Sequence, residues 1–231
     1  MKRMKLFLSL ALLCVAFISN AQTGSNIRAG INMANVSVTP NGNVDEANRL
    51  STFQVGVVGN IPIGTSMLAL QPGLLFTGKG SKVESGTPGQ AGYYRQTFNP
   101  LYVELPVNLV VKTPGTNMRF FAGGGPYIAM GVAGKTRTEG TRILTGNYSF
   151  ERDIVFSNDD PTTFNQEEGT GLGVIRRFDY GLNGTAGIEG RTLILGVNYG
   201  LGLAKLQSGT NNGADNDNKH RVLSFTLGFK F

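Results

Sequence analysis

The sequence predicts an all-β protein, an eight-stranded antiparallel up-and-down transmembrane β-barrel. Apolar residues alternate with polar or small residues in eight segments, which is the period of a strand with two different faces. Short and long connections alternate strictly between these segments. Glycine makes up 33 of 231 residues, a frequency that is costly inside helices. Only 16% of residues are charged, compared with the usual ~25%, which is expected if one face of every strand contacts lipid.

The N-terminus has the features of a secretory signal. Lys2, Arg3 and Lys5 precede an apolar run of 13 residues at 6–18. Small residues then precede the predicted cleavage point between Ala21 and Gln22. The apolar run is shorter than the ~20 residues of a transmembrane helix. The sequence therefore divides into a signal peptide at residues 1–21 and a barrel domain at residues 22–231.

Cleavage would remove the only cysteine, Cys14, so we expect no disulfide and no thiolate metal site. Without its three basic residues, the formal charge falls from +6 to +3. No Lys/Arg run remains that would follow a phosphate backbone, so nucleic acid is not an expected partner.

Each predicted strand is defined by one apolar face. The eight strands lie at residues 27–34, 53–61, 68–76, 101–112, 119–132, 178–188, 193–203 and 222–231. The fourth shows the pattern most clearly, because Leu101, Val103 and Leu105 begin an unbroken alternation that continues to Val111. Its opposite face carries Glu104 and Lys112, which favours a polar interior. Glycines share that opposite face and leave room inside a narrow barrel (Gly30, Gly56, Gly123, Gly125, Gly181, Gly200, Gly202 and Gly228).

The connections indicate which end of the barrel faces which side. Tight turns lie at residues 64–66, 113–116 and 189–191, and both chain ends fall on that side. Long connections lie at residues 37–49, 78–93, 133–170 and 207–219. This is the pattern of a bacterial outer-membrane barrel with short periplasmic turns and longer outer loops. A secreted, soluble, lipocalin-like barrel that binds a small apolar ligand is the alternative, since period-two alternation does not say which face is inside.

Seven segments occur in order along the chain: 28–33 (RAGINM), 70–80 (LQPGLLFTGKG), 101–107 (LYVELPV), 124–128 (GGPYI), 178–182 (FDYGL), 198–201 (NYGL) and 227–231 (LGFKF). Together they resemble the PorT-like outer-membrane β-barrel family, also called the outer-membrane protein β-barrel domain. The resemblance implies a barrel over the whole mature chain, and it also indicates a C-terminal signal for the barrel-insertion machinery at Phe225, Leu227, Phe229 and Phe231. One namesake of the family takes part in protein secretion, so an accessory role in a secretion system is a further alternative. Gly73 stands where the family usually has Glu.

Residues that suggest catalysis or ligand binding are few. His220, the only histidine, enters the last strand from a long loop, and we expect it at a solvated rim. Residues 129–136 match a relaxed P-loop pattern but lack the helix that must follow it. Residues 211–218 lack the ligand spacing of a calcium loop. The carboxylate pairs at 159–160 and 167–168 have no apolar surroundings that would raise a pKa. We expect no enzyme activity, cofactor or metal.

The sequence therefore predicts an integral outer-membrane anchor that acts through long outer loops. Outer-membrane lipid, the insertion machinery during biogenesis, and an extracellular or secretion-system protein are the expected partners. Eight strands leave an interior wide enough only for side chains, so an open pore is not expected. The third long loop carries apolar residues that could form a partner surface or extend strands above the membrane (Ile143, Leu144, Tyr148, Phe150, Ile154, Phe156 and Phe164).

Overall fold

The computed structural model describes residues 24–37, 49–64, 67–142, 146–157, 174–206 and 218–231. The predicted signal peptide and large parts of three long connections lie outside these residues. The described residues form thirteen strands: β1 (Asn26–Ser37), β2 (Leu50–Val58), β3 (Ile61–Ile63), β4 (Leu68–Gly78), β5 (Ser81–Ser85), β6 (Tyr94–Lys112), β7 (Arg119–Arg142), β8 (Gly146–Asp153), β9 (Val155–Phe156), β10 (Val174–Ile175), β11 (Phe178–Glu189), β12 (Leu193–Gly202) and β13 (Lys219–Lys230). No helix in these ranges is long and apolar enough to cross a membrane.

Eight barrel strands of the described chain pair in a closed antiparallel ring. The order is β1, β2, β4, β6, β7, β11, β12 and β13, and β13 returns to pair with β1 from Asn26↔Lys230 to Ser37↔Lys219. β3 continues β2 in the same register against β4, and β5 continues β4 in the same register against β6. Closure gives each barrel strand a neighbour on both sides, which is the condition for placing a sheet in lipid. The predicted eight-stranded up-and-down barrel is confirmed.

The apolar face of the barrel points outward. Ile31, Val111 and Leu195 are each more than half exposed. The opposite face is polar and buried, with Arg28, Glu104 and Lys112 in the interior. A lipocalin-like barrel would place these faces the other way round, so that alternative is wrong. The predicted polar interior around Glu104 and Lys112 is confirmed.

Inward-facing glycines allow the strands to approach closely. A Cβ atom built on Gly125 would lie 1.9 Å from the carbonyl oxygen of Val107, and one on Gly181 would lie 2.1 Å from that of Leu201. Real Cβ atoms do not come so near to backbone, so larger residues at these sites would force neighbouring strands apart. The glycine content therefore reflects tight coiling of a narrow barrel as well as the lack of helices in the described part of the chain.

Two predicted loops are partly strand. Residues 133–142, expected in a long connection, continue β7 well past the barrel body, and β8 folds back on them from Lys135↔Asp153 to Arg142↔Gly146. The connection predicted at 78–93 contains β5 paired with the start of β6. Together β5, residues 94–100 of β6, residues 133–142 of β7, and β8 form a four-stranded sheet, which we call the outer sheet. It rises above the rim that carries the long loops.

Candidate functional site

The upper half of the lumen, toward the long-loop rim, contains a buried cluster centred on Lys79. Its Nζ lies 2.6 Å from Glu104 Oε2 and 2.9 Å from Asp179 Oδ2. The Tyr127 hydroxyl donates to the same Asp179 oxygen at 3.0 Å, and its ring centroid lies 3.9 Å from Lys79 Nζ. We call Lys79, Glu104, Tyr127 and Asp179 the upper cluster. It links the residue after β4 with β6, β7 and β11 across the lumen.

His220 is not at a solvated rim, so that prediction is wrong. Its side chain is 2% exposed, and Nε2 lies 3.2 Å from the Tyr102 hydroxyl next to the upper cluster. The two rings meet edge to face at 5.4 Å. His220 shares the inward phase of Val222 and Ser224 on β13, and this alternation places it inside although it adjoins a loop.

The lower half of the lumen, toward the short turns, contains a second ion-pair cluster. Lys112 Nζ lies 2.6 Å from Glu189 Oε2 and donates to Asn60 Oδ1 at 2.6 Å. Lys230 binds the other Glu189 oxygen and also donates to the carbonyl of Gly190 at 2.8 Å. We call Lys112, Glu189 and Lys230 the lower cluster. It ties β6, β11 and β13 together at the periplasmic end.

Between the two clusters lies a central cavity of about 40 Å³. Its lining includes Arg28, Gln54, Gln71, Asn108 and Ser224. This volume is enough for a few water molecules, because a cavity needs roughly 10–15 Å³ to hold one water molecule.

An apolar group closes the upper end of the lumen, and we call it the mouth cap. Ile154 and Phe156 come from the third long connection, Ile175 from β10, and Leu206 from the chain after β12; they pack on the inward residues Val36 and Phe98. The ring of Phe156 meets Tyr102 edge to face at 5.8 Å, directly above the upper cluster. Gly131 makes room for it, because a Cβ there would lie 2.0 Å from the Phe156 ring. Backbone hydrogen bonds from Gly131 to Arg177 and from Ile154 to Gly134 hold this segment in place.

The two faces of the outer sheet differ in charge. On the outer face, Lys135 pairs with Glu151 and Arg137 pairs with Glu139. The hydrogen bond and charge of Lys135 lower the pKa of Glu151, and Glu151 in turn raises the pKa of Lys135. Both groups are solvent-exposed, so this pair contributes little to stability. On the other face, Tyr148 and Phe150 stack at 6.2 Å, with Arg142 over the Tyr148 ring.

The apolar residues of the third loop have different positions. Tyr148 and Phe150 extend a strand above the membrane, as one of the two interpretations predicts. Ile154 and Phe156 instead turn inward into the mouth cap. Ile143, Leu144 and Phe164 lie outside the described residues. No group of three or more potential metal ligands is found among the residues that the structure describes.

The other sequence predictions have clear outcomes or lie outside the structure. Residues 129–136 form part of β7, so the P-loop match is a chance one, and the polar loop expected after it is also strand. The carboxylate pairs at 159–160 and 167–168 and nearly all of 211–218 lie outside the described residues. Gly73 faces inward, where a Cβ would lie 3.1 Å from the Pro106 ring. Phe225, Leu227 and Phe229 point outward on β13 and Phe231 follows it, exposed, but no structural feature tests their role as an insertion signal.

Several residues of this site were missed by sequence reasoning. Lys79 and Gly80 fall between β4 and β5, where the apolar alternation stops, and Lys79 therefore looked like the start of a loop. Asp179 and Arg28 lie in predicted strands and alternate with the outward apolar residues. This position in the alternation could have identified them as interior charges. The mouth cap had no such signal, because its residues come from segments without strand periodicity.

The outward apolar belt, the closed ring and the charged lumen define an integral membrane β-barrel. A comparison with family models matches residues 20–208 to the outer membrane protein beta-barrel domain. The chain belongs to this family and is a protein of the bacterial outer membrane. A comparison with curated proteins finds no match.

Solved outer-membrane proteins show a distant similarity. Ail, the attachment invasion locus protein of Yersinia pestis, is 12% identical with a TM-score of 0.40, and the alignment covers 90% of this chain and 99% of Ail. OprG from Pseudomonas aeruginosa is 11% identical with a TM-score of 0.37, and the alignment covers 93% of this chain and 99% of OprG. Similarity at this level does not by itself define a shared function.

Proposed function

We propose that the protein is a non-enzymatic anchor that presents the outer sheet at the cell surface as a scaffold for a partner protein. The observation that carries this proposal is the contrast between a closed lumen and a long ordered projection. The upper cluster, the lower cluster and the mouth cap together block the channel. The outer sheet instead projects paired strands with an aromatic and cationic face beyond the barrel.

A permeability assay tests the closed lumen. Proteoliposomes that contain the purified protein are expected to swell in a small sugar no faster than empty liposomes. Swelling at the rate of a general porin reconstituted at the same protein density would contradict an anchor function. Loss of the heat-dependent gel mobility shift identifies preparations that are not folded, and these are discarded before the assay.

Site-specific photo-crosslinking tests the scaffold. A photoreactive phenylalanine analogue at Phe150, on the aromatic and cationic face of the outer sheet, is expected to give a protein adduct on intact cells. The same residue at Arg191, in a short turn on the periplasmic side, is the matched control and should not give that adduct. Adducts of equal size and yield at both positions, or none at Phe150, would argue against this function.

We also propose that residues 1–21 form a cleaved signal peptide and that the chain is a PorT-like member of its family. The segments that carry this resemblance fall mainly on the barrel strands, with Gln71 and Glu104 facing the lumen. The proposed partner is an extracellular or secretion-system protein. N-terminal sequencing of the mature protein tests the cleavage, and Gln22 is the expected first residue.

A further inference from the structure

Arg28 is a buried cation at the centre of the barrel. It points inward from β1, its side chain is 4% exposed, and both register partners, Gly228 and Gly56, lack side chains. The two glycines leave space for the guanidinium group. Its Nε donates to Asn26 Oδ1 at 3.4 Å, while Nη2 has no hydrogen-bond partner among the described residues.

The other buried cations of the lumen are matched by carboxylates. Lys79 lies between Glu104 and Asp179, and Lys112 lies on Glu189. Within the described ranges, no carboxylate lies within ion-pair distance of Arg28. Arginine does not lose its proton in proteins, so it cannot escape the cost of burial by becoming neutral. A buried charge without a partner is strongly destabilising, so a counter-charge at this place is expected.

The surroundings of Arg28 favour an anion as that counter-charge. Among the residues that the structure describes, the lower half of the lumen holds Arg28, Lys112 and Lys230 against the carboxylate of Glu189. Glu104 also lines the central cavity, but Lys79 neutralises it and Asn183 donates to it at 3.2 Å. The positive end of the cavity is therefore the end at Arg28.

The remaining lining of the central cavity can donate hydrogen bonds. Gln71 and Asn108 lie opposite each other in the β4–β6 pair, and one side-chain oxygen of each has no partner among the described residues. The NH2 group of Gln71 donates to Asn60 Oδ1 at 3.4 Å, which fixes the orientation of that amide. Amide oxygen and nitrogen positions are assigned from the surrounding network, so the Asn108 side chain can turn its NH2 group toward the cavity. A volume of about 40 Å³ accepts a monatomic anion together with water.

We propose that the central cavity is a small-anion site, with chloride held between Arg28 and the amide group of Asn108. This site does not depend on the proposed scaffold function. Because both ends of the lumen are closed, the anion enters when the barrel folds. It acts as a resident counter-ion that stabilises the folded state.

Chloride linkage tests the proposal. The folding equilibrium constant is measured in detergent by urea titration at constant ionic strength, with gluconate replaced stepwise by chloride. One bound anion gives a slope approaching one for the logarithm of this constant against that of chloride concentration. Arg28→Met should lower the slope to near zero, while Arg137→Met in the outer sheet, the matched control, should leave it unchanged. Equal slopes in the wild type and Arg28→Met would overturn the proposal.

Crystallography of the wild-type protein tests the anion site without any variant. It therefore also applies if Arg28→Met does not fold. Wild-type protein refolded in bromide should give an anomalous peak beside the Arg28 guanidinium in the central cavity. A cavity that contains only water in such crystals would overturn the anion site. The chloride titration and the bromide peak are both independent of the permeability and crosslinking results.

Discussion

Single inward-facing charges hold opposite sides of the barrel together, and Lys79 is the clearest case. It satisfies two carboxylates whose sequence positions, 104 and 179, are far from its own. Alternation in the sequence places Glu104 and Lys112 inside, but it contains no information on which charges meet across the lumen. His220 was predicted on the wrong side for a different reason. It lies next to a loop, which suggested exposure, but the alternation of β13 places its side chain inside the barrel. Local sequence therefore predicts which face of a strand a side chain occupies, but it does not predict which charged side chains pair across the lumen.

Lys79→Met is expected to lower the free energy of unfolding by about 3–5 kcal/mol, because it leaves two buried carboxylates without their cation. Urea titration in detergent, followed by circular dichroism, measures this loss. Adding Glu104→Gln and Asp179→Asn to Lys79→Met removes the unpaired charges and should recover most of the stability. If the triple variant is as unstable as Lys79→Met alone, the loss of stability comes from altered side-chain packing and not from unpaired charges.

Strands and their connections differ in how far the sequence reveals them. All eight barrel strands were predictable, because lipid on one side and a polar lumen on the other impose period two. The outer sheet was not, since residues 133–142 leave the bilayer and both of their faces can be polar. The mouth cap was not either, because it depends on tertiary packing of Phe156 against Tyr102 and Gly131.

Gly131→Ala is expected to displace the mouth cap without opening the barrel ring, because the new methyl group would overlap the Phe156 ring. A cysteine at buried Ile175 then reports the change through faster maleimide labelling on intact cells. Gly184→Ala is the matched control, since a Cβ there meets no atom within 4 Å.

The same labelling assay tests the coupling to Phe156. Phe156→Ala alone should loosen the cap, and adding Gly131→Ala to it should cause no further increase, because the overlapping ring is already gone. Additive effects of the two substitutions would mean that Gly131 acts on some other contact.

The whole molecule is a ring whose stability depends on every strand having two neighbours. The closing pair joins β1 to β13, so the first and last described strands lie side by side. Outward apolar residues cover this seam as they cover the rest of the belt, with Ile31 opposite Phe225. The sequence predicted this arrangement because its two ends fall on the same side of an even number of strands.

Deleting Phe231 is expected to reduce assembly in the outer membrane at least several-fold if the C-terminal residues are read by the insertion machinery. Refolding of the mature chain in detergent should be nearly unchanged, since Phe231 lies beyond β13 and is exposed. Phe120→Ala, which removes another exposed aromatic residue, should assemble normally. Assembly is measured by the heat-dependent gel shift in membrane fractions; an equal loss for both variants would indicate a general need for apolar surface.

The pairing of β1 with β13 also fixes an order of events in time. Asn26 meets Lys230 only after nearly the entire chain has been synthesised. Until then β1 has an unpaired edge, which is a ready template for association with other chains. The polypeptide therefore has to cross the inner membrane and the periplasm with its apolar residues uncovered by lipid. This open intermediate is therefore exposed to aggregation until β13 pairs with β1.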